Sequence, residues 1–118
     1  MKMRMIKNAK LRDGREFPAG EYKVEITNRG IIVIDATGDS FRIGWTRAHK
    51  YFNEVMEPPT FEELEEFVSD GVSDSVFGER VEPDGYDERG GPSWLMAMGN
   101  MLRQINLWEQ APLAMENK

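Results

Sequence analysis

Closely spaced carboxylates are the residues of this sequence best suited to bind a metal ion or to catalyse hydrolysis. Asp84, Asp87 and Glu88 lie together in the run DGYDERGG, residues 84–91. A calcium-binding loop has oxygen ligands at alternating positions and a glutamate at its last position. This run has neither feature, so we expect no metal site in the segment.

The other side chains that support catalysis are scarce. The chain contains one histidine, His49, and no cysteine. A zinc site built from His and Cys therefore cannot form, and no neighbouring residue is predicted to orient His49 as a general base. Gly90 and Gly91 precede a predicted helix, but the preceding strand and the lysine of a nucleotide-binding loop are missing. We expect a non-catalytic protein with no metal and no cofactor.

Charged residues are distributed unevenly along the chain. Residues 1–53 contain 11 Lys and Arg against 6 Asp and Glu, whereas residues 54–89 contain 2 against 13, within a net charge of −6. We interpret the acidic middle as a surface for a basic partner, because opposite charges steer association. The alternative is a solvated helix face followed by a polar loop. The candidate partner-binding acids are Glu62, Glu63, Glu65, Glu66, Glu82, Asp84, Asp87 and Glu88.

The basic N-terminal part supports a second hypothesis. Its candidate ligand-binding residues are Arg4, Lys7, Arg12 and Arg15. Such cations on a small β-structure can bind nucleic acid or an anionic nucleotide. The alternative is that these cations flank edge strands and prevent aggregation.

The first half of the chain is predicted to be β-structure. Strands are expected over 3–10, 21–27, 31–36 and 40–44, separated by Gly-containing turns. Residues 21–27 alternate between apolar and charged side chains, which is typical of a half-buried strand. The run IIVIDA at 31–36 is predominantly apolar, which indicates a central strand. These strands predict a curved antiparallel sheet or an SH3-like barrel of four to five strands.

The second half is predicted to be helical. The first helix is expected over 46–56, with Thr46 as its cap and Pro58-Pro59 after it. The second follows the capping-box residues Thr60 and Glu63 and ends at Gly71. Its buried side chains are predicted to be Phe61, Leu64, Phe67 and Val68. A polar loop over 69–92 leads to a third helix over about 94–109, which Ser93 can cap.

The third helix is also a candidate for self-association. Its apolar residues cover more of the circumference than one sheet can bury, which predicts a homodimer contact. The alternative is a compact monomer in which the loop and the second helix cover this face. The predicted dimer contacts are Trp94, Met98, Met101, Leu102, Ile105 and Trp108.

Two segments resemble a known group of proteins. VEPDG at 81–85, followed by PSWLMAMG at 92–99, resembles a pattern in small phage, plasmid and bacterial proteins that have no assigned activity. The resemblance is limited to these segments and carries over no catalytic residue. It implies that the chain is an accessory protein of a phage or another mobile element.

These observations define one set of expectations. We expect a single α+β domain over 1–118, with a β-rich part at 1–45 and a helical part at 46–118. The first residues, MKMRMIKNAK, lack the apolar run of a signal peptide, so we expect a cytoplasmic protein, in the host cell if it is phage-encoded. The expected function is to bind and antagonise a host or defence protein through the acidic surface. The alternative function is to sequester an anionic nucleotide or nucleic acid through the basic part.

Overall fold

A four-stranded antiparallel sheet forms the N-terminal half of the chain in the computed structural model, which describes residues 1–99. The strands are β1 (Lys2–Met5), β2 (Ala9–Lys10), β3 (Glu16–Phe17), β4 (Gly20–Thr27), β5 (Gly30–Ile34) and β6 (Ser40–Gly44). The order in the main sheet is β1-β4-β5-β6, and β2 pairs with β3 in a separate ribbon. The predicted α+β fold is confirmed. Among residues 1–99 the sheet is open, with β1 and β6 at its edges, and no SH3-like barrel is formed there.

The burial of the strands follows their sequence patterns. In β4, Val24 is buried while Lys23 and Glu25 on either side of it are exposed. In β5, Ile31 and Val33 are completely buried, and the strand lies between β4 and β6, as predicted for a central strand. The predicted first strand, 3–10, is interrupted after Met5. The reason is that the Ile6 N–H donates a hydrogen bond to the carbonyl of Tyr51, 2.8 Å away, instead of to a neighbouring strand.

The turn between β5 and β6 is organised by Asp35. Its Oδ1 accepts hydrogen bonds from the Thr37 hydroxyl (2.6 Å), the Thr37 N–H (2.9 Å) and the Asp39 N–H (2.9 Å). These bonds, the Thr37 hydroxyl bond foremost, hold the pKa of Asp35 below its ordinary value of 3.8. The charged carboxylate is therefore the form that stabilises the turn.

Stability is expected to depend on the charge of Asp35 in acid. A carboxylate whose pKa is lower in the folded state contributes its full stabilisation above the unfolded-state pKa and loses it as the pH falls through the folded-state value. Asp35→Asn should therefore melt below the wild type at neutral pH, and the difference in melting temperature should close as the pH falls from 3.8 through the lower folded-state pKa of Asp35. Thermal melting across this range measures both curves. A difference in melting temperature that does not change with pH would show that the charge of Asp35 does not stabilise the turn.

The first helix is shorter than predicted. The prediction was a helix over 46–56 with Thr46 as its cap. The structure instead has α1, Trp45–Ala48, and Gly44 occupies the N-cap position without a side-chain hydrogen bond. Both the length and the cap of this predicted helix were wrong.

Long-range backbone hydrogen bonds explain why α1 stops early. The Tyr51 carbonyl accepts from the Ile6 N–H, and the Met56 N–H donates to the Val76 carbonyl at 2.9 Å. Because these groups bind other segments, the intervening residues form turns and not further helix. The apolar residues of this segment still reach the core, which contains Ala48, Phe52 and Val55.

The second helix begins and ends as predicted. α2, Phe61–Asp70, has a capping box in which Thr60 accepts from the Glu63 N–H and Glu63 accepts from the Thr60 N–H. Gly71 ends it in the left-handed conformation, with φ of 69°. The predicted buried stripe was wrong in two of its four members. Phe67 is buried and Leu64 half-buried, whereas Phe61 is 73% exposed and Val68 67% exposed.

The segment after α2 contains more regular structure than the predicted polar loop. β7 (Ser73–Asp74) pairs with β8 (Arg80–Val81), and Ser75 forms an isolated bridge with Ser93. Three serines, Ser73, Ser75 and Ser93, are completely buried. Buried hydroxyls need hydrogen-bond partners, and the surrounding backbone supplies most of them, so this polar sequence folds against the core.

The third helix, α3, covers residues 94–99 in the described part of the chain. Its predicted cap is confirmed, because the Met96 N–H donates to Ser93 Oγ at 3.0 Å. Trp94 is completely buried in a core that also contains Met5, Phe52 and Val76. The rest of the predicted helix, up to 109, lies outside the described residues. None of the helices within residues 1–99 has the length and apolar character of a membrane span.

Candidate binding surfaces

The exposed face of α2 combines apolar and acidic side chains. Phe61 and Val68 are seven residues apart, so at about 3.6 residues per turn they lie within roughly 20° of each other around the helix axis. Glu65 is the exposed glutamate nearest to them around the helix, and Glu62 and Glu66 are exposed further round, on the side away from Phe67. We call this set, Phe61, Val68, Glu62, Glu65 and Glu66, the α2 face. The helix packs against the core through Phe67, at one edge of the apolar stripe, and through the half-buried Leu64, so Phe61 and Val68 at the other edge stay exposed.

The charge of the α2 face is not balanced by neighbouring cations. The last turn of α2 has no basic residue, and the ion pairs among residues 1–99 involve no residue of this helix. Glu63 differs from the other glutamates, because its carboxylate accepts the Thr60 N–H in the capping box at 3.2 Å. The other three acids predicted on α2, Glu62, Glu65 and Glu66, have no capping bond and no ion pair within residues 1–99.

The predicted acids of the following loop have different roles. Glu82, Asp84 and Glu88 are exposed. Asp87 is a structural residue: its Oδ2 accepts from the Ser75 hydroxyl at 2.6 Å, and its Oδ1 accepts from the N–H groups of Arg89 (2.9 Å) and Gly91 (2.8 Å). Asp87 therefore holds the loop together and is not expected to bind a partner directly.

The VEPDG and PSWL segments bind to each other. The Ser93 hydroxyl donates to the Pro83 carbonyl, and the Ser93 N–H donates to the Gly85 carbonyl at 3.1 Å. A side chain on Gly91 would collide with the ring of Phe77, 2.6 Å from the nearest ring atom. The motif segments are therefore joined by hydrogen bonds of Ser93, and the small size of Gly91 in the spacer lets the loop close against Phe77. The geometry gives the motif a structural role.

The four predicted basic residues have different surroundings. Arg15 is bound by Asp13 (2.8 Å) and Asp39 (2.6 Å), and these carboxylates raise its pKa. Lys7 lies over the Tyr51 ring, with Nζ 4.8 Å from the centroid. Arg4 is on the edge strand β1, opposite Glu21 in the register, and Arg12 is exposed. Arg15 therefore links the turn that contains Asp13 to the turn that contains Asp39.

A different group of cations lines a cavity that sequence reasoning missed. The cavity has a volume of about 180 Å³, and its lining includes Lys10, Arg42 and Arg47 together with Tyr51. The three cations are distant in sequence and come together only through the fold. A second, more open groove of about 460 Å³ is lined by Val72, Arg80, Val81, Glu82, Gly85 and Tyr86.

The predicted dimer contacts divide into three groups. Trp94 is completely buried within the chain, and its Nε1–H donates to Met56 Sδ at 3.3 Å, so its side chain belongs to the core. Met98 is half-buried and packs against the same core. Met101, Leu102, Ile105 and Trp108 lie outside the described residues, and a dimer contact at these positions stays a prediction.

The potential metal ligands and the single histidine, His49, form no cluster within residues 1–99. Within residues 1–99, no group of three or more His, Cys, Asp or Glu side chains is placed to hold a metal ion. The Nδ1 atom of His49 is buried and has no hydrogen-bond partner in the same part of the chain. A histidine that acts as a general base needs a neighbouring group that fixes its tautomer. Within residues 1–99, no group does this for His49.

Comparison of the chain with protein-family models, with curated proteins and with solved structures finds no match in any of the three.

Proposed function

We propose that this chain is a non-catalytic binding protein whose α2 face covers a basic surface on a host or defence protein. The observation that carries the proposal is the exposure of Phe61 and Val68, at 73% and 67%, on a helix of four glutamates with no basic residue in its last turn. Phe61 and Val68 share one side of the helix, and an exposed apolar surface next to charged residues is the arrangement that protein interaction sites use. The phage or mobile-element setting comes from the resemblance of the VEPDG and PSWL segments.

The composition of the α2 face defines the chemistry of the partner. Phe61 and Val68 require apolar contacts on the partner, because their burial supplies most of the binding free energy. Glu62, Glu65 and Glu66 require Lys or Arg around those contacts, and such pairs contribute specificity and association rate. The proposed partner is therefore a protein surface with an apolar centre and a basic rim. Covering this surface would prevent the partner from binding its own anionic target.

Charge reversal on the α2 face is expected to abolish binding. With Glu62, Glu65 and Glu66 all changed to Lys, affinity should fall about 100-fold or more, since each reversed pair costs on the order of 1 kcal/mol. Phe61→Ala should lower affinity about 30-fold through lost apolar contact. The measurement is capture of a basic protein from nuclease-treated host lysate, followed by titration of the purified partner. Wild-type binding should weaken as salt is raised from about 0.05 to 0.5 M.

The control variant changes Glu16, Glu21 and Glu25 to Lys. These three acids are exposed on β3 and β4, so the variant has the same net charge as the test variant but an intact α2 face. It should bind the partner as the wild type does. If both variants lost affinity equally, the loss would come from the change in net charge. That result would contradict the α2 face as the binding site. Capture that disappears after nuclease treatment would favour the nucleic-acid alternative.

A further inference from the structure

The cavity of about 180 Å³ is built where three segments meet. Its lining comes from β2 and the following residue (Ala9, Lys10 and Leu11), from the end of β6 (Phe41, Arg42, Ile43 and Gly44), and from the segment at α1 (Arg47 and Tyr51). Hydrogen bonds fix two of these segments. The Leu11 N–H donates to the Arg15 carbonyl at 2.9 Å, and the Tyr51 carbonyl accepts from the Ile6 N–H at 2.8 Å.

The charge of this cavity is positive and is not compensated by its own lining. Lys10, Arg42 and Arg47 contribute to the wall, whereas no carboxylate of residues 1–99 does. The ion pairs within residues 1–99 use none of these three cations. Lys7 adds a further cation at the Tyr51 ring. Arg15, by contrast, is paired with two carboxylates. Like charges around one small space repel each other, and an anion between them removes that repulsion.

The size and the remaining wall limit the kind of anion. The cavity, at about 180 Å³, is smaller than the usual site for a drug-sized ligand, which is about 300–1,000 Å³. The lining also includes the apolar residues Leu11, Phe41 and Ile43, together with Tyr51. Lys10, Arg42 and Arg47 are exposed, so an anion can reach them from solvent, and the apolar residues nearby strengthen its attraction to the cations.

We propose that Lys10, Arg42, Arg47 and Tyr51 form a binding site for a phosphate monoester, such as the phosphate of a mononucleotide. Arginine guanidinium groups bind phosphate oxygens in pairs, and lysine adds a point charge. A phosphate monoester carries a charge of about −1.5 to −2 at pH 7, which three cations match. Tyr51 adds a hydroxyl group to the lining, which can donate a hydrogen bond to a phosphate oxygen. This site is separate from the α2 face and stands whether or not the proposed function holds.

The experiment uses three probes on the full chain: adenosine monophosphate, adenosine and inorganic phosphate. Calorimetry is expected to show binding of adenosine monophosphate and inorganic phosphate and none of adenosine. The affinity for adenosine monophosphate should rise between pH 5 and 7, because the second phosphate proton dissociates near pH 6. Arg42→Gln and Arg47→Gln should each weaken binding about 10-fold, since each removes a charge-assisted hydrogen-bond donor.

A matched control separates the site from general charge. Arg4→Gln combined with Arg29→Gln removes two other exposed arginines and should leave the affinity for adenosine monophosphate unchanged. Circular dichroism confirms that each variant is folded. The proposal would be overturned if the protein did not bind adenosine monophosphate at millimolar concentration. It would also be overturned if the control variant lost as much affinity as Arg42→Gln and Arg47→Gln. Binding of a single-stranded oligonucleotide without binding of the mononucleotide would overturn it as well, in favour of a nucleic-acid surface.

Discussion

Replacement of Trp94 by alanine is expected to lower the free energy of unfolding by about 3–5 kcal/mol. The side chain is 0% exposed and its Nε1–H donates to Met56 Sδ at 3.3 Å, so the change removes a large core side chain and leaves a cavity. Single domains are stable by only about 5–15 kcal/mol, and the variant should therefore unfold at a much lower denaturant concentration. Urea titration followed by circular dichroism measures the shift.

An exposed aromatic residue, Tyr86, provides the control for Trp94→Ala. Tyr86→Ala removes an aromatic residue that is 52% exposed and should change stability by less than about 0.5 kcal/mol. The loss in Trp94→Ala should also be independent of protein concentration, because the residue packs within one chain. A loss that grows on dilution would instead place Trp94 at the predicted dimer contact. An unchanged urea midpoint would contradict its place in the core.

Gly30→Ala is expected to destabilise the sheet by about 3 kcal/mol or more. A Cβ atom on Gly30 would overlap the backbone carbonyl of Ile43, with the carbonyl carbon only 2.9 Å away, and the φ of +149° disfavours any other residue. Because the obstacle is backbone of β6, relief requires β5 and β6 to separate. The expected result is a lower urea midpoint.

Gly14→Ala is the matched control for Gly30→Ala. Gly14 also has a positive φ, +94°, but a Cβ there would meet no atom within 4 Å. Its cost should be the backbone strain alone, about 1 kcal/mol. The difference between the two variants measures the collision with Ile43. Equal losses would show that the contact between Gly30 and β6 contributes nothing.

Features that depend on neighbours in the chain were predictable from the sequence. The capping box of Thr60 and Glu63 is formed as expected, because the two residues satisfy each other's backbone N–H groups within one turn. The alternation in β4 predicted which side chains face the core, since successive residues of a strand point to opposite faces. Gly71 ends α2 because glycine adopts the left-handed conformation at no steric cost.

Features that depend on distant segments were decided only by the tertiary structure. α1 stops after Ala48 because the following backbone groups bind Ile6 and Val76, and no local pattern contains that information. The stripe of α2 was evident as a pattern, but which part of it is buried depends on where the body of the protein contacts the helix. Phe67 makes that contact, and Phe61 and Val68 are left exposed.

The two candidate sites also differ in whether local sequence or tertiary contacts determine them. The sequence by itself determined that α2 is acidic, because its glutamates are adjacent in the chain and need no partner to share one helix. Only the tertiary structure decided that Arg15 is neutralised by Asp39 and that Lys10, Arg42 and Arg47 line one cavity. The physical reason is that electrostatic interactions depend on distance in space. That distance is set by strand register and packing, and not by separation along the chain.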